Sequence, residues 1–304
     1  MITPPALKKG DRIGIVTPAG RIPGGALDNA VKCFGDWGLE VVMASGVYSV
    51  FNQFGGSDKV RVSGLQAMLD DESVGAVICS RGGYGCVRIV DELEFGSFMN
   101  KPKWLVGYSD VTVLHSHINR ICGVETIHGP MAAELAPGKK KPVSGRSMEL
   151  LREALFGTLP AYYLPNHKLS RTGRATGVLA GGNLSVLCSI MGSNSAPDTR
   201  GCILFIEEVG EYLYHLDRMM MALKRSGVFE SVAGLVVGGM TGMNDNEVPF
   251  GETTAEIIAR TVSEYDFPVM FGFPAGHQPD NHPLIMGREV TLSVEERTGS
   301  ITFR

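Results

Sequence analysis

Four stretches of this sequence carry residue types that could do chemistry together. In Lys103-Trp-Leu-Val-Gly-Tyr-Ser-Asp-Val-Thr-Val-Leu-His115 an apolar run ends at Gly107 and a helical pattern starts near Asp110. Ser109 therefore falls on a sharp strand-to-helix turn, which pushes a hydroxyl out at the C-terminal edge of a parallel sheet and aims the next backbone N–H at whatever binds there. That is the logic of a nucleophile elbow, although Gly-Tyr-Ser-Asp is not the Gly-x-Ser-x-Gly pattern. The more ordinary use of such a serine is as a helix N-cap, and this segment alone leaves both readings open.

A glycine cluster, Ser80-Arg81-Gly82-Gly83-Tyr84-Gly85, follows the apolar run Val74–Cys79 at the same kind of strand end. Glycines let backbone N–H groups approach a ligand closely, as an oxyanion hole or an anion site requires. The cluster lacks the lysine of a nucleotide P-loop, and a plain tight turn is the alternative. Strand Ile203–Ile206 ends in Glu207-Glu208, and the two-residue period of a strand puts one carboxylate inward and one outward. An inward acid could orient a histidine; solvated strand-end acids are the commoner case. His277 and His282 lie in Phe273-Pro-Ala-Gly-His-Gln-Pro-Asp-Asn-His-Pro-Leu284, where a loop histidine could serve as general base. The pair could instead ligate a metal, but no third ligand stands at the spacing a zinc site needs. His115 and His117 do not share a helix face, so at least one is expected to be structural. Together these segments supply Ser, Glu, His and a glycine-rich backbone loop, the parts list of acyl transfer.

The elements that must position them alternate regularly. Strands are expected at 12–17, around Val41-Val42, at 75–79 and at 103–107, with helices reaching Trp37 and spanning about 58–70. This alternation implies βαβ units and a parallel sheet covered on both faces. Around 136–146 the composition shifts to Pro, Gly and the basic run Lys139–Lys141, which reads as a solvated loop in preference to an anion site. Further strands are expected at 176–180, 202–206, 233–238, 268–272 and 289–294, and a helix over about 212–226 with Met219–Met221 in the core. The expectation is two α/β domains, 1–135 carrying the nucleophile and 166–304 carrying Glu and His, joined by a linker region 136–165.

Composition excludes several classes. With 44% hydrophobic and 20% charged residues the chain is not disordered, and a net charge of −4 offers no basic surface for nucleic acid or an anionic membrane. The six cysteines are scattered and several sit in apolar runs, as reduced, buried thiols do. No apolar run has the length of a signal peptide core at the N-terminus or of a membrane span anywhere, so a cytoplasmic protein is expected.

The order of motifs is more specific than any one of them. Gly10-Asp-Arg-Ile-Gly-Ile-Val-Thr-Pro-Ala-Gly20, Arg81-Gly-Gly-Tyr-Gly85, Gly107-Tyr-Ser-Asp110 and His128-Gly-Pro130 are followed by Gly181-Gly-Asn-Leu184, Leu204-Phe-Ile-Glu-Glu208, Asp217-Arg218 and Gly276-His277. Over essentially its whole length the chain resembles the LD-carboxypeptidase family of serine peptidases, which includes the microcin C immunity peptidases. The resemblance implies an N-terminal α/β domain like class I glutamine amidotransferases, a smaller C-terminal α/β domain, and an active site between them. It implies a metal-free Ser-Glu-His triad, no cofactor, a homodimer, and removal of terminal D-alanine from a murein peptide during cytoplasmic cell-wall recycling. On this sequence Ser109 would be the nucleophile, His277 the general base and Glu207 the acid that orients it. Glu208 is the alternative acid, because the family usually has Glu-Asp here. The N–H groups of Gly83 and Asp110 would form the oxyanion hole, Gly82 and Tyr84 would line the substrate site, and Arg81 or Arg218 would hold the substrate carboxylate.

Three rivals follow from the same residues. A microcin-type immunity peptidase would cleave a peptidyl-nucleotide-like amide, but such enzymes usually add a C-terminal-domain loop with a stacking aromatic. Here both tryptophans, Trp37 and Trp104, lie in the first half. A non-enzymatic module could clasp a small anion with the same glycine loops, leaving Ser109 as a cap. A metallohydrolase would be built on His277 and His282.

Overall fold

The computed structural model describes residues 1–136 and 142–304; the run Lys139–Lys141 lies outside the described residues. Thirteen strands are found among the described residues. In the first half they are β1 (Arg12–Val16), β2 (Glu40–Met43), β3 (Val74–Cys79), β4 (Trp104–Gly107) and β5 (Thr126–His128). The second half adds β6 (Ala161–Pro165), β7 (Gly173–Asn183), β8 (Ile203–Val209), β9 (Gly234–Thr241), β10 (Val269–Phe271), β11 (Leu284–Met286), β12 (Glu289–Val294) and β13 (Thr298–Phe303).

They form two sheets, ordered β11-β5-β4-β3-β1-β2 and β10-β9-β8-β7-β12-β13-β6. In the first, β5, β4, β3, β1 and β2 run parallel, and β11 closes the edge antiparallel to β5. The order reverses direction between β1 and β3, and in open α/β sheets the crevice beyond the carboxyl ends at such a switch point is where ligands bind. The second sheet is parallel from β10 to β7 and antiparallel from there to β6. With seven strands to six it is the wider sheet, although β11 of the C-terminal half belongs to the first.

The sheets share a core. Ile13, Ile15, Ile78 and Val106 from the first pack in one buried cluster with Phe205, Val236 and Leu292 from the second, a non-directional contact that fuses the two halves. The opposite face of the first sheet is covered by Leu65 and Leu69 of helix Asp58–Asp70. That of the second is covered by Leu216, Met220 and Leu223 of helix Leu213–Arg225.

Within the stretch expected as a linker, residues 145–155 form a helix that is built into this core. Ser144 caps helix Gly145–Leu155 by accepting the Ser147 N–H, and Met148, Leu150, Leu151, Ala154 and Leu155 are buried. Its spacing of apolar residues is helical; the neighbouring Pro-Gly-Lys run hides it. β5 and β11 are three residues long, too short to show a period. Among the described residues all six cysteines are unpaired, and no helix is long and apolar enough to cross a membrane.

Candidate active site

The turn after β4 sets the first functional group. Ser109 has φ of 64°, left-handed backbone that a serine adopts only at a cost of about 1–3 kcal/mol unless its surroundings over-determine it. Tyr108, not Ser109, occupies the cap position of the short helical turn that follows. The surroundings are rigid. The Gly107 carbonyl accepts the Gly129 N–H and a 2.8 Å bond from His115 Nε2, which fixes that imidazole with Nδ1 accepting from Thr126 Oγ1 at 2.8 Å. Thr112 Oγ1 accepts the Asn183 N–H at 3.0 Å, tying the turn to the end of β7. His115 and His117 are both buried and both structural, the latter 2.9 Å from Ser195 Oγ through Nδ1.

Ser109 Oγ lies 3.1 Å from His277 Nε2, and His277 Nδ1 lies 2.8 Å from Glu207 Oε2. A carboxylate only accepts, so Nδ1 carries the proton and Nε2 is left to accept from the serine hydroxyl. Burial works against charge on His277. The hydrogen bond to Glu207 and its negative charge, with Glu208 and Glu134 behind, outweigh that burial and raise the pKa above the ordinary histidine value. The Tyr108 ring packs edge-on against His277 at 4.9 Å and its hydroxyl donates to Glu134 at 2.6 Å, so the imidazole is held from the side as well.

Both strand-end acids are buried, Glu207 fully and Glu208 to 2% exposure, so neither points to solvent. Alternation does place them on opposite faces, but β8 is an inner strand covered on both sides. Glu208 faces helix Leu184–Ile190 and accepts from Asn183 Nδ2 and the N–H groups of Ser185 and Val209 at 2.7–2.9 Å. Burial raises its pKa against those bonds. It is spent on the fold, while Glu207 alone reaches His277.

The glycine cluster lies directly over the serine. A Cβ on Gly82 would stand 2.7 Å from Ser109 Cβ and 2.8 Å from its Oγ, so only glycine fits. Gly83 follows with φ of 119° and is exposed. The Asp110 N–H belongs to the first turn of a helix, whose N–H groups have no partner within it. Arg81 is held by Nε on the Gly82 carbonyl and Nη1 on the Arg21 carbonyl, at 3.2 and 3.3 Å. Its Nη2 lies 3.9 Å from where a Gly83 side chain would begin. Arg81, Gly83 and Tyr84 line an open depression of about 660 Å³ with Gly20, Arg21 and Gln53. Arg218 is elsewhere occupied, its guanidinium over the Tyr214 ring at 5.2 Å.

His282 stacks on Tyr162, and both nitrogens of His277 are engaged, so the two histidines do not form a metal pair. Among the described residues no group of three or more His, Cys, Asp and Glu could hold a metal. Two supports were not visible in the sequence. Asn281, fully buried, accepts the Gly276 N–H at 2.9 Å and braces the His277 loop. The Asp110 carboxylate accepts the Cys86 N–H at 2.8 Å and so holds the glycine loop.

A serine, a histidine and a buried carboxylate in one hydrogen-bonded chain, set at the strand ends of an α/β frame, define a serine hydrolase. Comparison with known proteins agrees and narrows the class. Residues 13–129 match the model described as LD-carboxypeptidase N-terminal domain, and 176–292 that described as LD-carboxypeptidase C-terminal domain. A Bacillus subtilis protein named "Probable murein peptide carboxypeptidase" is 32% identical over 98% of this chain and 93% of its own. The crystal structure of muramoyltetrapeptide carboxypeptidase from Oxalobacter formigenes superposes with a TM-score of 0.86 at 26% identity, covering 96% of this chain and 98% of that one. The microcin C7 self-immunity protein MccF, solved with aspartyl sulfamoyl adenosine, gives 0.88 at 21% identity over 98% of each chain, which speaks for the fold alone. The chain belongs to the LD-carboxypeptidase family.

Proposed function

We propose that this protein is a serine carboxypeptidase that hydrolyses the L-to-D peptide bond of a murein tetrapeptide and releases its terminal D-alanine. The observation that carries the catalytic assignment is the chain Ser109 Oγ, His277, Glu207. The relatives' names supply the substrate class. Ser109 Oγ attacks the carbonyl before the D-residue while His277 Nε2 takes the hydroxyl proton. The tetrahedral oxyanion is met by the N–H groups of Gly83 and Asp110, a kind of donor worth about 100- to 1,000-fold in rate each. Collapse breaks the C–N bond, and His277 gives its proton to the departing amine. Water, deprotonated by the same imidazole, then hydrolyses the acyl-enzyme and frees Ser109. Glu207 keeps the imidazole in the productive tautomer and stabilises its charged form.

An exopeptidase must also hold the free carboxylate of its substrate. Arg81 is assigned that contact: its guanidinium is oriented by two carbonyls beside Gly83, in the depression that Tyr84 borders. The proposal extends to a homodimer working in cytoplasmic cell-wall recycling, as the family resemblance implies.

The test is D-alanine release from L-Ala-γ-D-Glu-meso-diaminopimelate-D-Ala by wild type and Ser109→Ala. Release by the first alone supports the reading. Equal release by both removes Ser109 from the mechanism. No release by either overturns the murein substrate and turns attention to peptidyl-nucleotides.

A further inference from the structure

The loop proposed to stabilise the oxyanion is made of the least constrained residues a chain can use. Gly82, Gly83 and Gly85 surround Tyr84, and Gly83 and Gly85 have φ of 119° and 141°. Glycine loses more conformational freedom on ordering than any other residue, whereas an oxyanion donor is effective only if held in place beforehand. Something outside the loop must hold it.

At its front the Gly82 carbonyl accepts the Gly20 N–H at 3.1 Å. At its back a single peptide group is gripped from both ends. The Gly85 carbonyl accepts Arg61 Nη1 at 2.8 Å, and the N–H of the same peptide unit, on Cys86, donates to Asp110 Oδ2 at 2.8 Å. Arg61 Nη1 also donates to the Pro18 carbonyl at 2.6 Å, at the end of β1, and Nη2 pairs with Asp58. A Cβ on Gly85 would lie 2.5 Å from Arg61 Nη1, so the absent side chain is what admits the guanidinium. The Arg61 side chain has no solvent exposure, and its Nε has no hydrogen-bond partner among the described residues. Burying a cation is costly, and replacing a buried ion pair with apolar residues is often neutral or stabilising. The cation's place is therefore explained better by what it holds than by stability.

We infer that Arg61 and Asp110 clamp the Gly85–Cys86 peptide group from opposite ends and thereby fix the Gly83 N–H against Ser109, which makes Arg61 a positioning residue of the oxyanion hole. The inference rests on the proposed role of the Gly83 N–H. The Gly83 N–H shares its peptide unit with the Gly82 carbonyl held at the front, and two peptide groups, Gly83–Tyr84 and Tyr84–Gly85, run from there to the clamped one, so the loop is fixed at both ends of a short glycine span. The Asp110 carboxylate hangs from the residue whose own N–H is the second proposed donor, so both donors are tied to one another through this peptide group.

The experiment uses a fluorophosphonate, which needs an activated serine and an oxyanion site but no peptide recognition. The Oγ–P bond forms, the P–F bond breaks, fluoride leaves and His277 takes the serine proton. The rate of labelling reads the site's geometry, and its final extent reads the fraction of folded protein. Arg61→Met and Asp110→Asn, which preserve volume, are compared with wild type, together with kcat and KM for D-alanine release. The expected result is a labelling rate and kcat lower by about 10- to 100-fold, with full final extent and KM near wild type. Arg61→Lys, which keeps the charge, should recover part of the loss. Labelling at the wild-type rate by whichever variants fold overturns the clamp, as does a fall in final extent with an unchanged rate, the mark of a merely structural role. Slow labelling of the variants by an enzyme that releases no D-alanine would support the clamp while removing the murein substrate. A wild type that is not labelled at all overturns both readings.

Discussion

His277 Nε2 stands 3.1 Å from Ser109 Oγ although the two residues are 168 positions apart and belong to different sheets. The serine hangs on the turn after β4, the histidine on the segment after β10, and Glu207 lies two residues before the end of β8, the neighbour of β9 in the second sheet. Serine and histidine are thus brought together by the buried cluster that joins the sheets, by the pairing of β11 with β5 and by the bond from the Asn183 N–H to Thr112, so their hydrogen bond depends on packing beyond either residue.

Replacing Glu207 by Gln should lower kcat by about 100- to 10,000-fold with the chain still folded, because the amide no longer enforces the tautomer that leaves Nε2 free to accept. Glu208→Gln should act on stability instead. It weakens buried bonds to Asn183, Ser185 and Val209, at a cost of about 1–3 kcal/mol, and leaves kcat near wild type. Steady-state kinetics with urea titration of both variants checks the pair; the reverse pattern would exchange their roles.

Because His277 must be neutral to act as base and its pKa is raised, kcat/KM should climb with pH through a midpoint above 6.5. In Glu207→Gln the midpoint should move down, since the hydrogen bond and the charge that favour imidazolium are both reduced. A pH–rate profile of the two proteins with unchanged midpoints would separate Glu207 from the base.

Gly82→Ala should abolish serine labelling without unfolding the chain, since its methyl would occupy the space of Ser109 Cβ and Oγ. Gly276→Ala should be nearly as harmful, with a Cβ 2.5 Å from Glu207 Oε2 and φ of 104°. Labelling and circular dichroism measured together decide it; wild-type labelling in Gly82→Ala would show that the loop gives way.

Stability should fall as pH drops from about 7 towards 5. Burial lowers the pKa of His115 to about 4 and also lowers those of His117, His128 and His282. Below the unfolded value near 6.5 the unfolded chain then binds more protons than the folded one, at about 1.4 kcal/mol per pH unit for each group kept fully neutral. His277 works in the opposite direction: its raised pKa adds stability at low pH that is lost as pH rises through the folded value. The lowered groups outnumber it, and both ring nitrogens of the fully buried His128 have no hydrogen-bond partner among the described residues. Urea midpoints at pH 7.5 and 5.5 test the sign.

The sheet strands β1, β3 and β4 are legible because inner parallel strands are unbroken apolar runs, and helix Leu213–Arg225 because its apolar face keeps helical spacing. Ser109, Glu207 and His277 each stand out as candidates by type and place, yet periodicity says nothing of which distant strand ends meet. The motif order linked them. Arg61, Asn281 and the Asp110 carboxylate were missed as supports because a side chain bonded to backbone leaves no repeating mark in a sequence. Glu208 reads as an outward acid only while the second face of β8 is assumed bare.

The twelve-residue segment that carries His277 begins at the end of β10, in one sheet, and ends at β11, in the other. It is thus the chain's return path between the halves as well as the mount of the base. A rotation of one half against the other would pull on both ends of that mount and shift the imidazole relative to the serine. Hydrolytic competence and domain apposition become a single mechanical variable, and a ligand or crosslink that wedges the halves apart would silence the enzyme without touching any of its three polar groups.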